Sequence, residues 1–174
     1  MRVLVATDSF GGFRTAPQAC EAIAEGLNKA GLRASSHPMS DGGEGFLDAL
    51  HAHREMDFHG TPVVGPIGRP TFATAGRRDG TWVVESSTAI GLHLCGSERM
   101  PGRATSAGLG TLLAQLAHKD EGPFILGLGG TASVDGGLGM LQELGLQALD
   151  GDGRTIDPRG GATALTRVRR LVGP

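Results

Sequence analysis

Apolar and polar positions change rhythm several times along this chain. Arg2 to Thr7 is a short continuous apolar run, the pattern of a strand covered on both faces, and it ends in the polar turn Asp8-Ser9-Phe10-Gly11-Gly12. Ala19, Ala22, Ile23, Gly26, Leu27 and Ala30 then recur at helical spacing. Thr15 and Gln18 ahead of them form a capping box. Pro17 stands in the first turn, where its missing N–H costs nothing, and Gly31 takes the left-handed position after the last turn. Leu32 to His37 reads as a second, weaker strand. Strand, turn, helix and strand in this order open a parallel α/β sheet.

The segment Pro38 to Gly45 leads into a second helix carrying Phe46, Leu47, Ala49 and Leu50. Near Thr61 the texture changes. VVGPIGRP is turn chemistry, and β-type stretches at 71–76 and 81–86 flank Asp79-Gly80, a strong hairpin signal. A domain boundary is therefore placed here, giving units 1–60 and 61–174. A turn at 87–91 and an irregular stretch at 100–103 follow. Thr105 or Ser106 caps a helix over Leu109, Leu112, Leu113 and Leu116, and 123–128 is a buried strand. Gly129 to Gly137 is a further glycine-rich turn. Met140, Leu141 and Leu144 mark a helix, 146–149 a strand, 150–153 a turn, and 165–171 a helix or strand.

Composition narrows the classes. Thirty of the 174 residues are glycine, more than twice the usual share of about 7%, yet they lack the period of three that collagen requires. The apolar content of 39% is too high for global disorder. A net charge of -2 provides no basic field for nucleic acid or anionic membrane, and one Trp, six Phe and no Tyr leave little for base stacking. No window approaches the ~18 apolar residues of a membrane span, and the first apolar run is too short for a signal peptide. The expectation is a soluble, cytoplasmic protein with no nucleic-acid or membrane partner. Cys20 and Cys95 lack metal-ligand spacing and read as buried thiols.

Three segments share one design, in which carboxylate, hydroxyl and glycines precede a helix: Asp8 to Thr15, Ser40 to Gly45, and Gly129 to Gly137. Glycine lets successive N–H groups converge on an anion, and a helix N-terminus adds partial positive charge. Asp8, Asp41, Glu44 and Asp135 are embedded in these turns. A carboxylate beside a phosphate makes sense where a hard cation bridges the two, or where it takes a proton from an attacking hydroxyl. Neither G-x-x-x-x-G-K-[ST] nor a G-x-G-x-x-G after the first strand is present. His51, His53 and His59 read as surface histidines, Arg167, Arg169 and Arg170 as a solvated face, and Asp150 with Asp152 as a hairpin turn. Glu85-Ser86-Ser87, at a strand end, either lines a cleft or bonds its own turn. Spacing alone thus reaches an α/β protein that binds an anionic ligand.

In order along the chain, ATDSFGGFRTA, PMSDGGEG, GPIG, VVESSTAIGL, ATSAGLG and GLGGTASVDGGLGM resemble the type 1 glycerate kinase family. The resemblance implies an α/β fold in which a flavodoxin-like parallel-sheet lobe (here 1–60, its first part) is followed by a second α/β lobe with a mixed sheet (here 61–174, incomplete). It implies transfer of a phosphoryl group from ATP to D-glycerate, giving 2- or 3-phosphoglycerate, in the cleft between lobes. Two departures stand out. Gly11 occupies the place of a family lysine, with Arg14 as the candidate substitute, and the chain is shorter than such kinases, as an N-terminal portion would be.

The roles that follow from the resemblance are these. Asp8, Asp41 and Asp135 are the catalytic acids, with Asp8 orienting or deprotonating the glycerate hydroxyl and Asp41 or Asp135 anchoring Mg2+. Ser9, Arg14, Glu44 and Ser86 bind substrate. Gly42, Gly43, Gly129, Gly130, Thr131, Ser133, Gly136 and Gly137 hold the ATP phosphates. The alternatives are a catalytically inactive fragment that needs a second chain for its missing portion, and an FMN carrier, disfavoured by the scarcity of aromatics.

Overall fold

The computed structural model describes residues 1–173. Strand β1 (Arg2–Val5) pairs in parallel with β2 (Arg33–Ser36), from Arg2 opposite Arg33 to Val5 opposite Ser36. Helix α1 (Ala16–Lys29) joins them and starts as the sequence predicts. Thr15 Oγ1 accepts the Gln18 N–H at 3.4 Å, and Gln18 Oε1 accepts the Thr15 N–H at 3.2 Å. Cys20, Ala24 and Leu27 of α1 pack on Val3, Val5 and Ala34. The opposite face of the pair is open, with Leu4 64% exposed.

Helix α2 (Phe46–His53) connects this unit to a four-stranded sheet of order β3 (Asp57–Val64), β4 (Pro70–Arg78), β5 (Thr81–Glu85) and β6 (Phe124–Gly127). The first three strands are antiparallel, and β6 runs parallel to β5. Asp79 (φ 49°) and Gly80 (φ 76°) are both left-handed, the pairing a two-residue hairpin needs.

Strand β3 does not stand out in the sequence, and Thr61 lies in its middle. Gly60 and Pro62 interrupt its pattern, but β3 is an edge strand, where a proline need not donate to a neighbour. Thr61 and Val63 face inward, and pairing with β4 decides the conformation.

One face of the sheet is covered by helix α4 (Ala107–Lys119). Its Leu109, Leu112 and Leu116 pack on Val63, Ala73, Ala75, Trp82 and Val84. Leu47 of α2 meets Met56 and Val83 on the other face, so α2 ties the parallel pair to this sheet. Of residues 87–91, expected as a turn, all but Gly91 belong to the short helix α3 (Ser86–Ile90), which leads into a 3-10 turn at Leu92–Cys95. Thr88 Oγ1 lies 3.0 Å from the Thr74 carbonyl and 2.9 Å from the Glu85 carbonyl, pinning α3 to the sheet. Helix α5 (Leu138–Glu143), β7 (Gln147–Leu149), α6 (Gly161–Leu165) and β8 (Arg170–Val172) complete the chain, with β7 and β8 antiparallel. Among the described residues no helix is long and apolar enough to cross a membrane. The architecture is a parallel-sheet lobe followed by an α/β lobe with a mixed sheet.

Candidate functional site

The second and third glycine turns meet backbone to backbone. Ser40 Oγ accepts the Gly42 N–H at 3.1 Å and Asp41 Oδ1 the Gly43 N–H at 2.8 Å, folding the second turn on itself. It lies against Gly127 to Gly130 so closely that a methyl on Gly129 would sit 2.6 Å from Gly43 Cα, and one on Gly127 2.7 Å from the Gly42 carbonyl oxygen. Ser86 holds the third turn from beneath, its Oγ accepting the Gly129 N–H at 3.3 Å. Leu92 N–H to the Gly130 carbonyl (2.8 Å) and Ala132 N–H to the Ile90 carbonyl (2.9 Å) complete the attachment.

The helices after these turns begin at glycines, which have no side chain to cap them. Helix α2 starts at Gly45 (φ 89°) and α5 at Gly137 (φ 77°); a carboxylate from the other lobe caps the first, and one from the preceding turn caps the second. For α2 this is Glu85, at the end of β5. Its Oε1 accepts the Gly45 N–H at 3.1 Å and the Ser87 hydroxyl, and its Oε2 the Leu47 N–H at 3.1 Å. For α5 it is Asp135. Its Oδ2 accepts the Ser106 N–H (2.8 Å), the Ser106 hydroxyl (2.9 Å) and the Gly139 N–H (3.3 Å), and its Oδ1 the Gly137 N–H (3.1 Å).

These contacts correct the expectation that both helix N-termini stand ready for a phosphate. Protein carboxylates already occupy them. Four accepted hydrogen bonds use the lone pairs of the Asp135 carboxylate, and the residue is buried, so it does not pair with exposed Asp41 as a cation site. Among the described residues no three His, Cys, Asp or Glu side chains converge as metal ligands. Of the two candidate Mg2+ anchors, Asp135 is thus engaged in capping, while Asp41 stays exposed.

A cleft of about 670 Å3 opens between the lobes, within the usual range of about 300–1,000 Å3 for small-molecule sites. The first turn lines it with Ser9, Gly11, Gly12 and Arg14, and α1 adds Gln18. The second turn and α2 supply Glu44, Gly45 and Asp48, and the second lobe supplies Thr74, Glu85, Ser87, Thr88 and His93. Phe13, Phe58 and Phe72 form apolar parts of the wall. Arg14 is the one arginine or lysine among the lining residues.

Of the residues singled out from sequence, Ser9, Arg14 and Glu44 line the cleft directly. Asp8 adjoins it, half-buried, with Oδ1 accepting the Ser9 N–H at 2.6 Å. Asp41, Gly42, Gly43, Gly129 and Gly130 form the packed contact behind Glu44, and Ser86 is buried beneath them. Thr131 pairs with Gly91 in an isolated bridge, and half-buried Ser133 follows two residues on. Asp135, Gly136 and Gly137 lie at the far end of the third turn, outside the cleft lining. The strand end Glu85-Ser86-Ser87, read as either lining a cleft or bonding its own turn, lines it through Glu85 and Ser87, whereas sequence reasoning missed Gln18, Thr74, Thr88 and His93. Glu85 left a trace in the Glu85-Ser86-Ser87 strand end, but its partners lie 38 and 40 residues away.

The sequence model of the glycerate kinase family matches residues 3–172. The chain belongs to the glycerate kinase family. It is 38% identical over 167 residues to a glycerate kinase of Bacillus subtilis (strain 168), an alignment covering 93% of this chain and 44% of that protein. It is 35% identical over 167 residues to the glycerate 2-kinase of Escherichia coli (strain K12), again covering 93% and 44%. A crystal structure assigned as glycerate kinase 2 from Salmonella typhimurium LT2 superposes with a TM-score of 0.77 at 29% identity, covering 99% of this chain and 47% of that one. This glycerate kinase family chain therefore spans less than half the length of the relatives it matches.

Proposed function

We propose that the cleft is the acceptor site of an ATP-dependent phosphotransferase acting on D-glycerate. The observation that carries this reading is the convergence of the first two glycine turns on one cleft, with the third packed behind Glu44, in a chain of this family. Phosphoryl transfer depends on positioning and charge neutralisation more than on covalent chemistry. Arg14 meets the glycerate carboxylate through two parallel N–H···O bonds. A glycerate hydroxyl oxygen attacks the terminal phosphorus of ATP, the bond to the ADP oxygen breaks, and the hydroxyl proton passes to Asp8. Ser9 and Glu44 border the acceptor, while Gly129, Gly130, Thr131 and Ser133 face the donor phosphates. Asp135 positions the third turn through its caps rather than touching ligand.

The test is ADP release that depends on D-glycerate. Asp8→Asn and Arg14→Ala should each lower kcat/KM at least tenfold, about 1.4 kcal/mol of transition-state stabilisation. Losses under tenfold for both overturn these roles.

A second reading has its own support. The parallel pair is only two strands wide, Leu4 is 64% exposed, and Ile125 on β6 is 46% exposed. Two-stranded sheets are marginal alone. On this reading catalysis needs a second polypeptide that covers these faces. Adding the remaining part of the Bacillus subtilis relative to the assay separates the two, since activity that appears only on addition supports the second reading.

A further inference from the structure

Glu85 is the buried carboxylate that the proposed chemistry does not use. It is 5% exposed, and the partners of its oxygens are two backbone N–H groups and one hydroxyl, with no arginine or lysine among them. A buried charge without a cationic partner is costly to keep, and its hydrogen bonds offset only part of that cost. Capping α2 does not explain it, because Ser, Asp or Asn at position 45 is the ordinary local solution. Instead the cap comes from β5 in the other lobe, and it lands on the residues that follow Glu44.

We propose that Glu85 is a positioning residue for the cleft. Resting on the phosphotransferase reading above, its carboxylate holds the start of α2 to the end of β5. That fixes Glu44 at the cleft wall and keeps Gly43 against Gly129. Glu85 thus sets the spacing between the acceptor side, carried by the first lobe, and the glycine turn that faces the donor phosphates. The Ser87 hydroxyl donates its one hydrogen to the same carboxylate and braces it from α3. The occupied helix end also keeps a second anion from α2, so ligand charge is directed to Arg14 across the cleft.

The experiment compares the chain with Glu85→Gln, Glu85→Ala and the distant turn variant Asp150→Asn. Amide hydrogen exchange reads the positioning without requiring turnover. Exchange at residues 43–47 should rise at least tenfold in Glu85→Ala and less in Glu85→Gln, with α4 unchanged, whereas Asp150→Asn should leave 43–47 at the wild-type rate. In the D-glycerate assay kcat should fall at least tenfold in Glu85→Ala with KM within threefold, and Glu85→Gln should recover part of the loss. Unchanged exchange at 43–47 overturns the proposal, as does a Glu85→Ala kcat within twofold of wild type. If wild type binds neither ATP nor D-glycerate, the phosphotransferase reading fails, and the exchange comparison still decides whether Glu85 holds the turn.

Discussion

Gly129→Ala perturbs the contact between the second and third turns most cleanly. A methyl at 129 would stand 2.6 Å from Gly43 Cα and 3.1 Å from Gly43 N, both backbone atoms with no rotamer to change. Gly129 does not occupy the left-handed region, so the cost is steric. Overpacking of this kind costs about 1–3 kcal/mol. At about 2–4 °C per kcal/mol for a domain of this size, Tm should fall by about 2–12 °C. Displacing a positioned segment by about 1 Å costs on the order of 100-fold in rate, so D-glycerate turnover should fall further than stability alone explains. Gly151→Ala is the control, since a methyl there meets nothing within 4 Å and should stay within about 0.5 kcal/mol of wild type. Urea titration and calorimetry measure stability, and ADP release measures turnover. A Gly129→Ala protein within about 0.5 kcal/mol of wild type would refute the close backbone contact.

Arg14→Lys should raise KM for D-glycerate by about 10–100-fold, because a charge-assisted pair is worth about 1.5–3 kcal/mol and a lysine cannot form the two-pronged bond; an unchanged KM removes Arg14 from the carboxylate. Asp135→Asn turns an amide N–H2 toward buried donors and should cost about 1–3 kcal/mol, read from the urea midpoint. The Asp150 carboxyl titrates below its ordinary value, chiefly because the Arg154 backbone N–H bonds it, with the Asp152 N–H and Arg167 adding to this. A carboxyl lowered on folding gives stability that is complete above the usual carboxylate range of about 4 and is lost as pH falls through the folded value. Asp150→Asn should therefore lower stability at pH 6, with the difference shrinking as pH falls below the usual carboxylate range; equal stability at pH 6 contradicts the assignment.

Local signals were legible where local chemistry decides. The Thr15–Gln18 box and the Asp79-Gly80 hairpin are short-range devices, and both form as read. Strand β3 was hidden because Gly60 and Pro62 break its alternation, and only pairing with β4 makes it a strand. Helix α3 was hidden because Ser86, Ser87 and Thr88 are poor helix formers, anchored here by the Thr88 hydroxyl. At the site, glycine and carboxylate spacing located all three turns. It did not say which way each acid points. Asp135 has a ligand-like context in sequence yet turns inward as a cap, while Glu85, read as either lining a cleft or bonding its own turn, lines the cleft and reaches into the other lobe. The Asp135 bonds to Ser106 and both Glu85 bonds to the second turn join residues about thirty to forty positions apart, which no spacing rule records.

The most direct measurement is an amide chemical-shift titration of the 174-residue chain with D-glycerate and then ATP. The shifts expected with D-glycerate cluster at Ser9 to Gln18, Glu44 to Leu47, Thr74 and Glu85 to Thr88, the walls of the cleft, and ATP should add shifts at Gly129 to Ser133. Saturable shifts confined instead to Val64 to Gly68 and Arg103 to Thr111, around the separate pocket beside α4, would contradict a glycerate site between the lobes.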